Sequence, residues 1–215
     1  MKVVAISVGR PRQVEWRGRS VRTSILKTPV SHRVHVTSTN IEGDEQSDLS
    51  VHGGVEKAVY VYPAEHYDFW RRELPGADLG WGAFGENFTT EGLLEDEVWI
   101  GDRYRVGTTE FVVTQPRMPC YKLAIRFGQI EMVKRFLQSG RSGFYLAVER
   151  EGDVAAGDAI ERLARHETRL TVADAVRLYA SDSANQPLLE SASDHPSLPA
   201  AWREYFRKRL WAPDA

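Results

Sequence analysis

The feature that most limits how this chain can fold is a rhythm of short runs broken by glycine turns. Asn87–Thr90, Glu97–Ile100, Arg103–Val106 and Glu110–Thr114 follow one another with Gly92, Gly101-Asp102 and Gly107 between them. Such spacing predicts an antiparallel sheet closing into a barrel. Val3–Val8, Arg19–Leu26 and His32–Thr37 precede these runs, with Val59–Tyr62 as a further candidate strand. Gly143–Glu149 and Ala159–Leu163 complete the sheet, with turns expected at Glu151-Gly152-Asp153 and Gly157-Asp158.

Helical patterns interrupt and follow this mainly β region. Pro63–Leu74 starts with a proline suited to a first helical position, and its Tyr67, Trp70 and Leu74 recur at core-facing spacing. Tyr121–Phe127 and Ile130–Leu137 read as a second helical region ending at Gly140. After His166 come Thr171–Ala180, capped by Thr171, then Pro187–Ala192, then the basic amphipathic run Ser197–Leu210. The organisation expected is a β-barrel domain over residues 1–165 and a three-helix segment over 168–215. Three short helices have too little surface for a core of their own, so they should pack on the barrel or on a second copy in a homodimer. Arg203, Arg207, Lys208 and Arg209 read as a solvated face.

Composition narrows the function classes. A chain with 42% hydrophobic and 27% charged residues and a net charge of −2 is an ordinary soluble one, with no sign of stable nucleic-acid binding. No apolar run approaches the roughly 18 residues that span a bilayer, and the N-terminal apolar stretch is too short for a signal peptide. Those observations predict a cytoplasmic protein. They also exclude disulfide stapling, because the sequence contains 1 cysteine.

That cysteine, Cys120, lies in Gln115-Pro116-Arg117-Met118-Pro119-Cys120-Tyr121-Lys122-Leu123, between a strand-like run and a helix-like one. Arg117 and Lys122 flank it and favour the thiolate, which attacks electrophiles and binds soft metals. A second unusual segment, Val51–Tyr60, pairs Gly53 and Gly54 with His52 and Lys57, donors and exposed N–H groups suited to an anion. A third is Phe84-Gly85-Glu86-Asn87-Phe88. In the fourth, Ser139–Tyr145, Arg141 and Ser142 have the chemistry to hold a phosphate. P-loop, dinucleotide, HExxH and nucleophile-elbow motifs are missing, and the six histidines show no zinc spacing.

Taken in order, these segments resemble the MOSC family, named for the C-terminal domain of molybdenum cofactor sulfurase, and within it the stand-alone YiiM-type branch. Asp48-Leu49-Ser50-Val51-His52-Gly53-Gly54 with Lys57-Ala58-Val59-Tyr60, Tyr62-Pro63, His66-Tyr67, Gly85–Leu93 and Gln115–Cys120 carry the likeness over roughly residues 1–165. The tail is similar to the three-helix extension of YiiM-type proteins. This resemblance implies a barrel like that of the pyruvate kinase barrel domain, and a molybdenum cofactor (molybdopterin) ligated by Cys120. It further implies Asn87 and His52 at the reacting centre, and Lys57, Arg141, Ser142, Gly53 and Gly54 around the cofactor. The activity implied is reduction of N-hydroxylated bases of the 6-N-hydroxylaminopurine kind, with electrons from an external flavin-type donor. Two other readings remain open: a sulfur or cofactor carrier acting through Cys120, and a non-enzymatic binding module. Pyridoxal phosphate is not expected, since no lysine is marked for it.

Overall fold

The computed structural model describes residues 1–47, 53–180 and 185–211. Its largest feature is an eight-stranded sheet. The strands in it are β1 (Lys2–Val8), β4 (Thr28–Val30), β6 (Val59–Pro63), β7 (Phe88–Glu91), β8 (Arg103–Val106), β9 (Thr109–Pro116), β10 (Phe144–Arg150) and β12 (Ile160–Ala164). They run in the order β12-β8-β9-β10-β6-β7-β1-β4. Neighbours are antiparallel except β6 and β7, which are parallel and joined through α1 (His66–Glu73); a parallel pair needs such a crossover.

The pairing forms an open, mixed sheet rather than the closed antiparallel barrel expected from the sequence. β1 gives Lys2–Ile6 to β7 and Ile6–Val8 to β4. Only the start of its other edge reaches β12, through the single bridge Lys2–Ala159 and bonds such as Ile160 N–H to Met1 O at 3.0 Å. A strand this short has no length left for a full ladder there.

Two further pairs stand apart from this sheet. β5 (Val34–Val36) pairs with β11 (Gly152–Val154), where a turn was expected; the Asp153 carbonyl accepts from Thr108 N–H at 3.1 Å and Arg33 at 3.3 Å, which holds the run extended. β2 (Arg12–Trp16) and β3 (Arg19–Thr23) pair only with each other. The predicted strand Glu97–Ile100 is reduced to a single antiparallel bridge, Trp99 with Thr171, between turn residues; Asp102 accepts from Trp99 N–H at 3.2 Å and folds the chain back. Pro63 ends β6 and does not open the helix, because the strand's last position needs no N–H donor and the next donor, Ala64 N–H, meets Thr90 O at 2.7 Å.

The remaining helices are α2 (Tyr121–Phe127), α3 (Met132–Ser139), α4 (Val172–Ala180), α5 (Gln186–Asp194) and α6 (Ala200–Trp211). Thr171 caps α4 as expected: its Oγ1 accepts from Asp174 N–H at 2.9 Å, while Asp174 accepts from Thr171 N–H at 3.1 Å. Leu170, Val172, Leu178, Leu189, Leu198 and Phe206 join Val3, Phe88, Phe111 and Phe144 of the sheet in one apolar core. The C-terminal helices therefore pack on the sheet of their own chain. A second, aromatic core holds Tyr60, Tyr62, Tyr67, Trp70, Phe84 and Phe136 under α1, α2 and α3.

Candidate functional site

β9 ends at Pro116, and Pro119 then keeps Met118 extended before α2 starts. Cys120 sits at that boundary with φ −123° and ψ 173°, its carbonyl accepting from Leu123 N–H at 2.9 Å. It forms no disulfide and is partly exposed. Its side lines a cleft together with Lys27, Asp44, Lys57, Asn87, Arg117 and Lys122, with about 680 Å³ of empty space including what is open to solvent.

Arg117 is the most unusual group there. It is 5% exposed, and its guanidinium lies 5.3 Å from the Tyr60 ring centroid and 5.0 Å from that of Phe136. Nη1 is buried without a hydrogen-bond partner, a costly state for a cation. Burial works against the charge, but Tyr60, Tyr145 and Cys120 favour it more, so the group holds its proton even more firmly than an ordinary arginine. Burial in turn raises both tyrosines, with Arg117 opposing, and keeps them neutral.

Opposite lies a buried pair. Lys27 Nζ donates to both Asp44 oxygens at 2.6 Å, and Asp44 also accepts from Gly9 N–H at 2.7 Å and Asn87 Nδ2 at 3.0 Å. Burial lowers the lysine's pKa, and the Asp44 carboxylate only partly offsets it. Asn87 Oδ1 accepts from Tyr60 N–H at 3.1 Å, and its Nδ2 also reaches Ser7 O at 3.3 Å. Its amide hydrogens are thus spent on the scaffold, and Asn87 acts by positioning Asp44 and β6. Beside it, Glu86 is fully buried and accepts from Gly82 N–H (2.9 Å), Phe84 N–H (3.0 Å), Thr89 Oγ1 (3.0 Å) and the Tyr67 hydroxyl. That carboxylate folds the Phe84–Phe88 segment around itself.

The structure brings Cys120, Asn87, Lys57 and Gly53 together on the cleft. Gly54, Arg141 and Ser142 do not line it. Gly54 precedes a short 3₁₀ turn over Val55–Lys57. The Arg141 guanidinium lies 3.9 Å over the Phe69 ring and donates to Ser139 O at 3.0 Å. Ser142 Oγ donates to Gly143 O at 2.7 Å, and its carbonyl accepts from the Tyr60 hydroxyl at 2.9 Å. Gly143 fixes this placement, since a Cβ there would lie 2.2 Å from Val61 O. His52 and the Asp48–Val51 part of its motif lie outside the described residues. Sequence reasoning missed Lys27 and Asp44, whose 17-residue separation carries no motif, and it assigned Arg117 no ligand. Lys122 Nζ, noted only as a neighbour of the cysteine, donates to Ser47 Oγ at 3.0 Å and also lines the cleft.

Among the described residues no three His, Cys, Asp or Glu side chains converge to hold an ion. The cleft is lined by one thiol and several cations, and one of these, Arg117, has a buried Nη1 without a hydrogen-bond partner. The chain belongs to the MOSC domain family, whose profile matches residues 48–161. Residues 170–211 match a further family described as the YiiM-like 3-alpha helix domain, which places the chain in the YiiM-type branch. It is 42% identical to the uncharacterized protein YflK of Bacillus subtilis over 96% of this chain and 93% of that one. The crystal structure of YiiM from Geobacillus stearothermophilus superposes with a TM-score of 0.81 at 37% identity, over 97% of this chain and 98% of that one. A protein of Gibberella moniliformis named "Reductase" is 34% identical over 83% of this chain, which spans 32% of its length.

Proposed function

We propose that the chain holds a molybdenum cofactor through Cys120 and reduces N-hydroxylated bases or related compounds with electrons from an external flavin-type reductase. The carrying observation is that Cys120 shares its cleft with Arg117, a buried cation whose Nη1 has no hydrogen-bond partner among the described residues. A soft thiolate suits molybdenum, and an unsatisfied guanidinium N–H suits a phosphate oxygen. The donor set therefore fits such a cofactor. MOSC domains are associated with molybdenum cofactor binding, and the fungal relative's name adds support for a reductase.

When bound, the group supplies a two-electron reduction that turns N–OH into N–H and water. The chain's own residues supply the setting. Arg117, with Lys57 and Lys122, provides positive charge for the cofactor's phosphate. Tyr60 and Tyr145, rings 5.4 Å apart, wall the cleft on the Arg117 side. Lys27 Nζ, bonded to Asp44, holds a proton at the cleft surface for the departing hydroxyl. Asn87 keeps Asp44 in place. The setting is a reducing compartment such as the cytoplasm, where the Cys120 thiol persists.

The test is molybdenum and pterin content after expression in a cofactor-proficient host. Near-stoichiometric metal in the wild type, lost in Cys120→Ala, is expected, followed by turnover of N-hydroxylated bases when a reductant is supplied. Metal absent from both proteins overturns the proposal.

A further inference from the structure

The β2–β3 ribbon is chemically unlike the rest of the surface. Residues 10–22 contain Arg10, Arg12, Arg17, Arg19 and Arg22 against a single acid, Glu15, in a chain whose net charge is −2. All five arginines are exposed. Arg10 approaches Glu45 at 4.0 Å, whereas Arg12, Arg17, Arg19 and Arg22 make no ion pair among the described residues. Many arginines elsewhere are paired: Arg33, Arg71, Arg103, Arg105, Arg135 and Arg150 each bond a carboxylate, and those without one, such as Arg72, Arg162 and Arg169, are scattered along the chain rather than gathered in one segment. Register puts Arg12, Val14, Trp16, Arg19 and Val21 on one face of the ribbon and Arg22 on the other.

The tip adds a second observation. Arg17 (φ 51°) and Gly18 (φ 74°) form the two-residue turn, and Arg17 is the one non-glycine with positive φ among the described residues. Asn or Gly is favoured at that position, and other side chains there carry strain. Keeping an arginine at the apex places its charge as far from the body as the ribbon reaches. At its other end, β3 runs directly into Ser24, Ile25 and Lys27, which line the cleft.

We infer that this ribbon is the docking arm for the acidic face of the flavoprotein that feeds electrons to the cleft, an inference that rests on the reductase reading above. Unpaired arginines steer an acidic partner from solution, and a partner held on the ribbon stands beside the cleft mouth. A nucleic acid fits less well. Its phosphates extend past the ribbon onto a body that carries the excess of acids. Charge also keeps an exposed ribbon from pairing with other chains, and that role alone leaves donor binding unchanged.

The probe is a small acidic FMN-bearing flavodoxin, titrated against the full chain at about 20 and about 200 mM salt. The variant Arg12→Gln/Arg17→Gln/Arg19→Gln/Arg22→Gln is expected to bind at least ~10-fold more weakly than wild type at low salt. A control that removes as many charges elsewhere, Arg72→Gln/Lys134→Gln/Arg162→Gln/Arg169→Gln, is expected to lose less than ~2-fold. Equal loss in both variants, or none in the first, overturns the inference. So does a single-stranded oligonucleotide or an anionic vesicle that occupies the ribbon more tightly than the flavodoxin. Turnover separates the two proposals. The ribbon variant should keep dithionite-driven reduction and lose flavodoxin-driven reduction. A wild type inactive with both donors removes the reductase reading, while the binding series still decides whether the ribbon is an acidic-protein dock.

Discussion

The molecule has two cores built to different rules. One is aliphatic with a few phenyl rings: Val3, Ile6, Val61, Phe111 and Leu146 of the sheet meet Leu178, Leu189 and Phe206 of the C-terminal helices. The other is aromatic and threaded with polar tips. Trp70 Nε1 donates to the Tyr62 hydroxyl at 2.6 Å, the Trp70 and Phe136 rings stack 5.8 Å apart, and Arg117 lies against Phe136. The first stabilises by removing apolar surface from water and is indifferent to orientation. The second fixes orientation, because hydrogen bonds such as Trp70 to Tyr62 and edge-to-face ring contacts hold only in set directions. Tyr60 and Ile25 belong to this second core and also line the cleft. Binding chemistry is thus supported from the core that specifies geometry, and fold stability from the one that buries area.

The largest effect should come from the aliphatic side. Phe206 is fully buried in α6, and Phe206→Ala is expected to cost about 3–5 kcal/mol. Because that ring joins the helices to the sheet, urea denaturation followed by tryptophan fluorescence and by far-UV circular dichroism should give one shared transition, displaced to lower denaturant. Two separated transitions would show that the helices fold as a unit of their own.

A smaller, pH-dependent effect marks the polar exception in this first region. His195 is 1% exposed and lies against His166, with ring centroids 4.4 Å apart and planes tilted by 35°. Burial, then repulsion from His166 and Arg203, moves its pKa from 6.5 down to about 4. Between those values the unfolded chain binds more protons, so stability rises with pH. The contribution is complete above about pH 6.5 and is lost as pH falls through about 4. Thermal unfolding of His195→Phe should therefore fall less steeply than wild type between these limits. Equal slopes would mean that the ring takes no part in acid sensitivity.

The smallest effect on stability, and the sharpest on function, should come from Arg117→Met. Replacing a buried cation by an apolar side chain of similar length is expected to change stability by no more than ~1 kcal/mol. Molybdenum content should meanwhile drop at least ~10-fold. Loss of folding with the methionine in place would show that the guanidinium serves the aromatic core rather than a ligand.

The strand rhythm, the helices at Tyr121–Phe127 and Thr171–Ala180, and the core-facing Tyr67, Trp70 and Leu74 were legible in the sequence because each rests on local periodicity. Cap chemistry at Thr171 was legible for the same reason. What periodicity missed was set by particular bonds, one local and the others long-range. Asp102, three residues on from Trp99, folds the chain back so that Glu97–Ile100 keeps only the bridge Trp99–Thr171, and the partners of Asp153 make Gly152–Val154 a strand. The ribbon strand β2 was missed as well, because its alternation of Val14 and Trp16 with Gln13 and Glu15 is only five residues long and half-buried at best.

The site divides along the same line. The sequence by itself determined that a single thiol would follow β9 beside cationic residues, and that Asn87, Lys57 and Gly53 belong to segments of special chemistry. Only the tertiary structure decided which of these meet. It placed Cys120, Asn87, Lys57 and Gly53 on one cleft and turned Arg141 onto Phe69. It also supplied Lys27 and Asp44 from distant turns and left Arg117 Nη1 buried without a partner. The physical reason is that residue type fixes what a group can bind, whereas burial and neighbours fix its charge, its satisfied bonds and its direction.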